Sequence, residues 1–272
     1  MSEFSIFGAT GYIATELQKS CDSKFYPIPR ESRLALSNDS IYFISTVDNY
    51  NVFEDIFKDV NVNLLILLET LKNLKAGQTI NFISSWFVYG ECDLPATESS
   101  VCDPKGFYSI TKRTAEQLLI SYCETFKINY RILRLCNVYG NVDQKASKKK
   151  NALHFLATKI KNNEEIGLYY NGQFYRDYMH VKDVAKAIEL VCKSGELNTI
   201  YNVGSGEKIL FKEVIDLIVK ETESTSIIKE MNVPDFHRTI QVKNFYFNTV
   251  KLKKLGFKQA ISLKEGIKSI CH

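Results

Sequence analysis

Glu3-Phe4-Ser5-Ile6-Phe7 runs without a break into Gly8-Ala9-Thr10-Gly11-Tyr12-Ile13-Ala14. The first five residues read as a short buried strand, and the pattern from Tyr12 to about Ser20 reads as an amphipathic helix. A glycine turn therefore joins strand to helix. Gly8 allows the tight turn, and Gly11 lets the backbone approach a pyrophosphate, which then sits on the helix N-terminus. Ala14 is the small residue where helix meets sheet. This pattern makes Gly8, Thr10, Gly11, Tyr12 and Ile13 candidate dinucleotide-binding residues.

Working outward, apolar strand patterns alternate with helical ones. Strands are expected at Lys24–Pro29, Ile41–Ser45, Thr79–Ser84, Asn129–Leu135 and Thr199–Val203. Helices are expected at Asn49–Lys75, across Tyr108 and Lys112, at Asn151–Asn162 and from about Lys182 to Lys193. The long 49–75 helix is read from a stripe of Phe53, Ile56, Phe57, Leu64, Leu67, Leu68 and Leu71. This alternation predicts an α/β fold with a Rossmann-like, doubly wound, mainly parallel sheet. Pro27 and Pro29 lie two apart, so their missing N–H groups fall on one side of the second strand, which marks that strand as a sheet edge. Only about ten polar residues separate it from the next strand, too few for the usual helix, third strand and second helix. The sheet is thus expected to be shortened after its second strand. Residues 1–140, with 176–204 returning to them, are assigned to the dinucleotide domain; 141–175 and 205–272 are assigned to a smaller substrate lobe.

Composition narrows the function classes. The 272 residues are 45% hydrophobic, enough for a full core, and the net charge of +4 suits an anionic ligand without demanding one. No basic run is interleaved with aromatics, so a nucleic-acid partner is not expected. The lysines at 145 and 148–150 read as a solvated polar loop. Seven cysteines without a Cys-x-x-Cys pair fit free thiols in a reducing cytoplasm, and four histidines without ligand spacing give no metal site. No apolar stretch is long enough to cross a bilayer, and no signal peptide is recognised.

Tyr108-Ser109-Ile110-Thr111-Lys112 places a phenol and an ammonium four residues apart, on one face of a helix. An ammonium beside a phenol favours the phenolate and lowers its pKa from ~10, which would make a proton-transfer group usable near neutrality. By itself the spacing also describes an aromatic at a helix boundary beside a solvated lysine. Arg30 and Glu31 follow the second strand, where an adenosine ribose would lie. The arginine suits the 2′-phosphate of NADP and the acid suits the 2′-hydroxyl of NAD, with a slight lean to NADP.

In order along the chain stand the Gly8 turn, Ser84-Ser85-x-x-Val88-Tyr89-Gly90, Tyr108-x-x-x-Lys112, Arg134-x-x-Asn137-Val138-Tyr139-Gly140, Arg176-Asp177-Tyr178-x-His180-Val181 and Tyr201-Asn202-Val203-Gly204. Together they resemble the extended short-chain dehydrogenase/reductase family, the NAD-dependent epimerase/dehydratase group that acts on nucleotide sugars. The resemblance implies that Tyr108 is the general acid/base at a sugar oxygen, that Ser85 hydrogen-bonds the same oxygen, and that Lys112 holds the cofactor ribose. It adds Ser45 and Thr46 to the cofactor set. Asn137 would contact sugar or diphosphate, and Arg176 would pair with the diphosphate. Arg238 occupies a position like a second phosphate-binding arginine, and otherwise reads as a surface residue. His180 and Asp177 read as structural. Trp86 either walls the sugar pocket or packs in the core.

Trp86 and Phe87 stand where the 4,6-dehydratase branch carries an acidic pair; neither transfers protons, which argues against a dehydratase. The expectation is an NAD(P)-dependent nucleotide-sugar oxidoreductase, a 4-keto reductase using NADPH in preference to a 4-epimerase with retained NAD. A dinucleotide sensor without chemistry is the third reading, disfavoured because such proteins typically lose the tyrosine or the lysine. The resemblance also implies a homodimer packed through helices 49–75 and 107–126.

Overall fold

A computed structural model describes residues 1–140 and 152–271. The lysines at 145 and 148–150 and Asn151 lie outside the described residues. Six parallel strands form the central sheet: β1 (Glu3–Phe7), β2 (Lys24–Ile28), β3 (Asp39–Tyr42), β4 (Thr79–Ser85), β5 (Asn129–Leu135) and β6 (Thr199–Val203), in the spatial order β6-β5-β4-β3-β1-β2. The chain order reverses beside β1, and the carboxyl ends of β1 and β3 open a crevice there. Registers such as Phe7 opposite Tyr42 and Ser85 opposite Leu135 bring the strand ends level.

Both faces of the sheet are covered, as strands buried along nearly their whole length require when successive side chains point to opposite faces. Phe4, Ile6, Ile83 and Leu133 face the helices Tyr12–Ser20 and Val181–Ser194. Phe7, Tyr42, Phe82 and Ile132 face the helical run 58–71 and the helix Phe107–Phe126. A separate core, built from Leu153, Ile160, Leu168, Val214, Ile215 and Ile267 among others, joins the helices Ala152–Lys161, Phe211–Thr222 and Leu263–Cys271 into a smaller lobe. Phe245 and Phe247, from the tail, pack instead against Tyr89 in the sheet's own core.

Among the described residues β2 pairs only with β1 and forms the edge, as its prolines predict; Pro27 is exposed. No helix or strand intervenes between Ile28 and Asp39. The short connection is pinned to β1 instead, where the Ser5 hydroxyl accepts from the backbone N–H groups of Leu36 and Ser37.

The expected helix 49–75 is corrected. Residues Asn51–Phe53 form an isolated 3-10 turn, and the continuous helical run starts only at Lys58, with α geometry over Lys58–Val60, a π turn over Asn61–Leu65 and α geometry again over Ile66–Leu71. Local side-chain bonds outcompete the helix before it. Asp48 accepts from the Tyr50 N–H, Asp55 accepts from the Phe57 N–H, and Asn51 donates to the Asp48 carbonyl and to Asp59. Phe53, Ile56 and Phe57, read from sequence as part of a buried stripe, are consequently exposed. All seven cysteines are free; Cys123, Cys136, Cys192 and Cys271 are buried and the other three half-buried. Among the described residues no helix is long and apolar enough to cross a membrane.

Candidate active site

The crevice at the strand ends continues into the smaller lobe as one cleft of about 920 Å³. Its sheet side presents Thr10–Ile13, Ser45, Thr46, Ser85, Trp86, Tyr108, Lys112 and Asn137, and Arg176 lines it on the lobe side. Gly8 lies just behind the wall. Its φ is +80°, and a Cβ would come within 3.0 Å of the Ile44 nitrogen, so glycine is required. The Gly8 carbonyl accepts from the Gly11 N–H at 3.0 Å, which closes the turn at the start of the Tyr12–Ser20 helix.

Tyr108 sits in the first turn of the Phe107–Phe126 helix. Two groups fix that helix end. Ser109 accepts from the Gly106 N–H at 3.0 Å, and Asn49, arriving from the loop after β3, accepts from the Ser109 N–H at 3.3 Å. A Cβ on Gly106 would fall 2.1 Å from the Asn49 oxygen, so the cap depends on this glycine.

The expected electrostatics are reversed here. Burial pushes the Tyr108 phenol up to about 12; the Ser85 and Ser45 hydroxyls lying against it pull it down, and the charges of Asp59 and Asp48 push it up. Lys112 is not among the groups that move it. Its ammonium donates to the Ile83 carbonyl at 2.7 Å and lies 4.0 Å from the centroid of the Phe82 ring. Burial pulls Lys112 down to about 7, opposed by Glu116 one turn further on. Tyr108 is thus a neutral phenol at physiological pH and Lys112 is poised to gain or lose a proton.

Ser85 caps the short turn after β4 by accepting from the Phe87 N–H at 3.3 Å, so its own proton is free to point into the cleft. Trp86 lines the cleft and also packs in the core, with its ring stacked 4.1 Å from Phe87 and tilted 4.8 Å from Phe245. Phe87 stands edge-on to the Tyr108 ring at 5.9 Å. Asn137 is turned by its side-chain and backbone donation, each at 3.1 Å, to the Asp177 carbonyl. The buried Asp177 carboxylate accepts from Ser205, Gly206 and Phe247, and the His180 ring caps the Val181–Ser194 helix; both hold the segment that crosses between the lobes.

Arg176 donates to the carbonyls of Tyr175, Val242 and Lys243 at 2.6–2.9 Å and lies over the rings of Trp86 and Phe174. Burial lowers it to about 10. No acid among the described residues pairs with it, and its Nε–H and one Nη2–H remain as a fork for an anion.

Two expected residues lie outside the cleft wall. Arg30 is exposed, and its carbonyl accepts from Arg33, which also pairs with Glu69 at 3.4 Å. Arg238 is exposed and pairs with Asp235 at 2.6 Å. Helix geometry accounts for this. His237, inside the Asp235–Ile240 turn, and Gln241, its C-terminal cap, line the cleft, and the residue after His237 points about 100° away. Lys243 lines the cleft and Arg238 does not.

Sequence reading also missed Asn63. It is 1% exposed and ties Ser45 and Thr46 to Thr111. An asparagine inside an apolar helical stripe was the available signal, since a buried amide must find partners.

A model of the "NAD dependent epimerase/dehydratase family" matches residues 40–204. A Methanocaldococcus jannaschii protein with the provisional name UDP-glucose 4-epimerase is 30% identical over 216 residues, 79% of this chain and 68% of that protein. A dTDP-D-glucose 4,6-dehydratase of Dictyostelium discoideum is 26% identical; the match covers 80% of this chain and 59% of the relative, so the chain spans less than two thirds of that protein's length. Among solved structures, RMD from Pseudomonas aeruginosa complexed with NADPH superposes with a TM-score of 0.85 at 22% identity, over 100% of this chain and 98% of that one. A Thermus thermophilus UDP-glucose 4-epimerase in complex with NAD gives 0.82 at 20% identity, over 99% and 97%. At these identities the two structures speak to the fold.

Proposed function

The chain belongs to the NAD-dependent epimerase/dehydratase family, and from that premise we propose that it reduces a 4-keto (deoxy)sugar nucleotide, with Tyr108 as general acid. The observation that carries this reading is the convergence of Ser85, Tyr108, Lys112 and Arg176 on one cleft, with a hydroxyl and a phenol beside each other and a guanidinium without an acid partner among the described residues.

The cleft residues fit a nicotinamide dinucleotide. Gly8 lets the end of β1 turn tightly against the backbone at Ile44, Thr10–Ile13 meet the cleft at a helix N-terminus, and the Lys112 ammonium has donors to spare for a ribose. When bound, that group supplies the hydride. The chain's own residues do the rest. Ser85 orients the sugar oxygen, Tyr108 gives it a proton, and Lys112 holds the ribose. Arg176 receives the diphosphate on its free fork. Trp86 and Phe87 offer no acid for eliminating water, which speaks against a dehydratase. Arg30, exposed just past the end of β2, favours NADP. Helix 107–126, with Phe107, Ile110 and Phe126 exposed, is the surface through which the protein would form a homodimer.

The second reading is a nucleotide-sugar 4-epimerase, favoured by the name of the M. jannaschii relative and served by the same Ser85, Tyr108 and Lys112. The test incubates a panel of nucleotide sugars and their 4-keto derivatives with NADPH or NADH, follows the reduced-nicotinamide absorbance and identifies products by NMR. Consumption of NADPH with a 4-keto substrate is expected. Protein that carries NAD through gel filtration and interconverts UDP-glucose and UDP-galactose without added reductant would establish the epimerase instead.

A further inference from the structure

The turn after the strand Ile166–Tyr169 holds three consecutive residues at positive φ: Tyr170 at +52°, Asn171 at +49° and Gly172 at +73°. Glycine enters this left-handed region freely and asparagine often does, but a tyrosine is strained there, because its Cβ crowds the following carbonyl oxygen. Tyr170 is the only aromatic residue at positive φ among the described residues. The turn itself does not call for it. The Gln173 N–H closes the turn on the Tyr170 carbonyl at 2.8 Å, a backbone bond that glycine would make as well. The reason for a tyrosine must therefore lie in its side chain.

Tyr170 lines the cleft, and the Lys243 ammonium lies over its ring, 4.8 Å from the centroid. Lys243 lines the cleft too, and among the described residues no carboxylate pairs with it. Its carbonyl accepts from Arg176 Nη1 at 2.6 Å, and the Val242 carbonyl accepts from Arg176 Nη2 at 2.9 Å. The backbone that carries Lys243 thus also sets the Arg176 guanidinium, and the two cations belong to one stretch of cleft wall.

We propose that Lys243 is a second diphosphate-binding cation beside Arg176, and that Tyr170 is the positioning residue that holds its ammonium there. The inference rests on the diphosphate role proposed above for Arg176. Lysine is a compact charge on a flexible stem, and an exposed ammonium on its own ranges through solvent. The face of a phenol ring fixes it without neutralising it, as a carboxylate would. A diphosphate suits the pair: the planar fork takes one phosphate and the point charge the other. A nucleotide sugar and a nicotinamide dinucleotide both carry a diphosphate. Arg176 lines the cleft on the lobe side, away from the Gly8 turn, which assigns the pair to the nucleotide sugar. Tyr170 acts through Lys243, and a glycine in its place would relax the backbone and leave the ammonium unheld.

The test titrates UDP, CDP, GDP and dTDP into the full chain by calorimetry, carries forward the tightest with its monophosphate, and titrates NADPH in parallel. Lys243→Ala is expected to weaken the diphosphate about three- to tenfold. Tyr170→Gly is expected to weaken it about two- to fivefold and to melt no lower than wild type, because the strain is gone. Tyr170→Phe keeps the ring and should keep wild-type affinity; Tyr170→Leu keeps the bulk and should lose as much as Tyr170→Gly. The double variant Tyr170→Gly/Lys243→Ala should bind like Lys243→Ala alone. The monophosphate and NADPH should change less than about twofold throughout. Wild-type affinity in Tyr170→Leu, additive losses in the double variant, or an unchanged diphosphate affinity in Lys243→Ala each overturns the proposal. An equal loss for NADPH does so too, by moving the pair to the cofactor. Binding is read without turnover, so the two readings fail separately. A protein that reduces no 4-keto sugar nucleotide overturns the reductase reading; a wild type that binds none of the four diphosphates overturns this one.

Discussion

Lys112 lies one helix turn before Glu116, the partner of Arg134 on β5, and both cations are nearly inaccessible, at 2% and 1% exposed. Arg134 is fully answered. Its Nε and Nη2 reach the two Glu116 oxygens at 3.0 and 2.7 Å, and Arg113 and Ser84 donate to the same carboxylate. Burial works against the Arg134 charge, and Glu116 outweighs it, leaving the guanidinium more firmly protonated than usual. Lys112 has a carbonyl, the face of a phenyl ring and no acid in contact. Equal burial with unequal partners separates a cation that holds the fold from one that the proposed reaction assigns to a ligand. Arg176 and Arg238 divide in the same way: the first lines the cleft without an acid partner, and the second is exposed and paired with Asp235.

The widest separation is expected from Lys112→Met. Turnover should fall by about three orders of magnitude or more, yet the protein without added cofactor should melt at a higher temperature. The unfolded chain keeps a proton on a lysine up to the ordinary value of 10.5, the folded chain only up to about 7. Between those values unfolding takes up a proton, so wild-type stability rises with pH across that window and carries its full penalty below it. The substitution removes the penalty, on the order of a few kcal/mol near neutrality, and the pH slope with it. Calorimetric melts of both proteins from pH 6 to pH 10 measure this; a variant that melts lower than wild type at pH 7 would break the comparison.

Glu116→Gln should do the opposite. It strands Arg134 and Arg113 beside a neutral amide, and a buried pair broken from one side costs about 3–5 kcal/mol. Urea unfolding should show that loss, while the protein that remains folded keeps most of its turnover because Glu116 does not line the cleft. Replacing both partners by apolar residues, Glu116→Leu with Arg134→Met, should recover much of the stability. If the double variant is as unstable as the single one, the pair does more than satisfy itself.

The same distinction explains what could be read from the sequence. The glycine turn, the alternation of strands and helices, and the edge position of β2 follow from backbone demands that few residue types meet, so Gly8 and Pro27 are informative alone. Ser85, Tyr108, Lys112, Asn137 and Arg176 could be gathered because the ordered motifs that hold them resemble those of a known family, which supplied their roles. Partnership was not legible. Nothing in the spacing of Tyr108 and Lys112 says that the ammonium turns to the Ile83 carbonyl, because that depends on how β4 and the Phe107–Phe126 helix pack. The exposed Phe53, Ile56 and Phe57 misled for a related reason: the stripe had helical spacing, and the side-chain bonds of Asp48, Asn51 and Asp55 that stop the helix are local competitors which periodicity ignores.

The smallest effect is expected where a sequence motif and the cleft disagree. Arg176→Lys keeps a charge and loses the fork, so KM for a nucleotide sugar should rise by about ten- to a hundredfold with kcat less affected. Arg238→Ala should change KM less than twofold, because an exposed pair such as Arg238–Asp235 contributes about 0–1 kcal/mol to anything and the residue points away from His237 and Gln241. Lys243, which lines the cleft near Arg176, should lie between the two: Lys243→Ala removes an exposed charge that salt already screens, and its effect should shrink when KM is measured at high ionic strength. An Arg238→Ala variant whose KM rises as far as that of Arg176→Lys would mean that the Asp235–Ile240 turn rotates when substrate binds. That would put the acid-paired arginine among the ligand-holding cations, and pairing with an acid would then separate the two roles only for groups as deeply buried as Arg134 and Lys112.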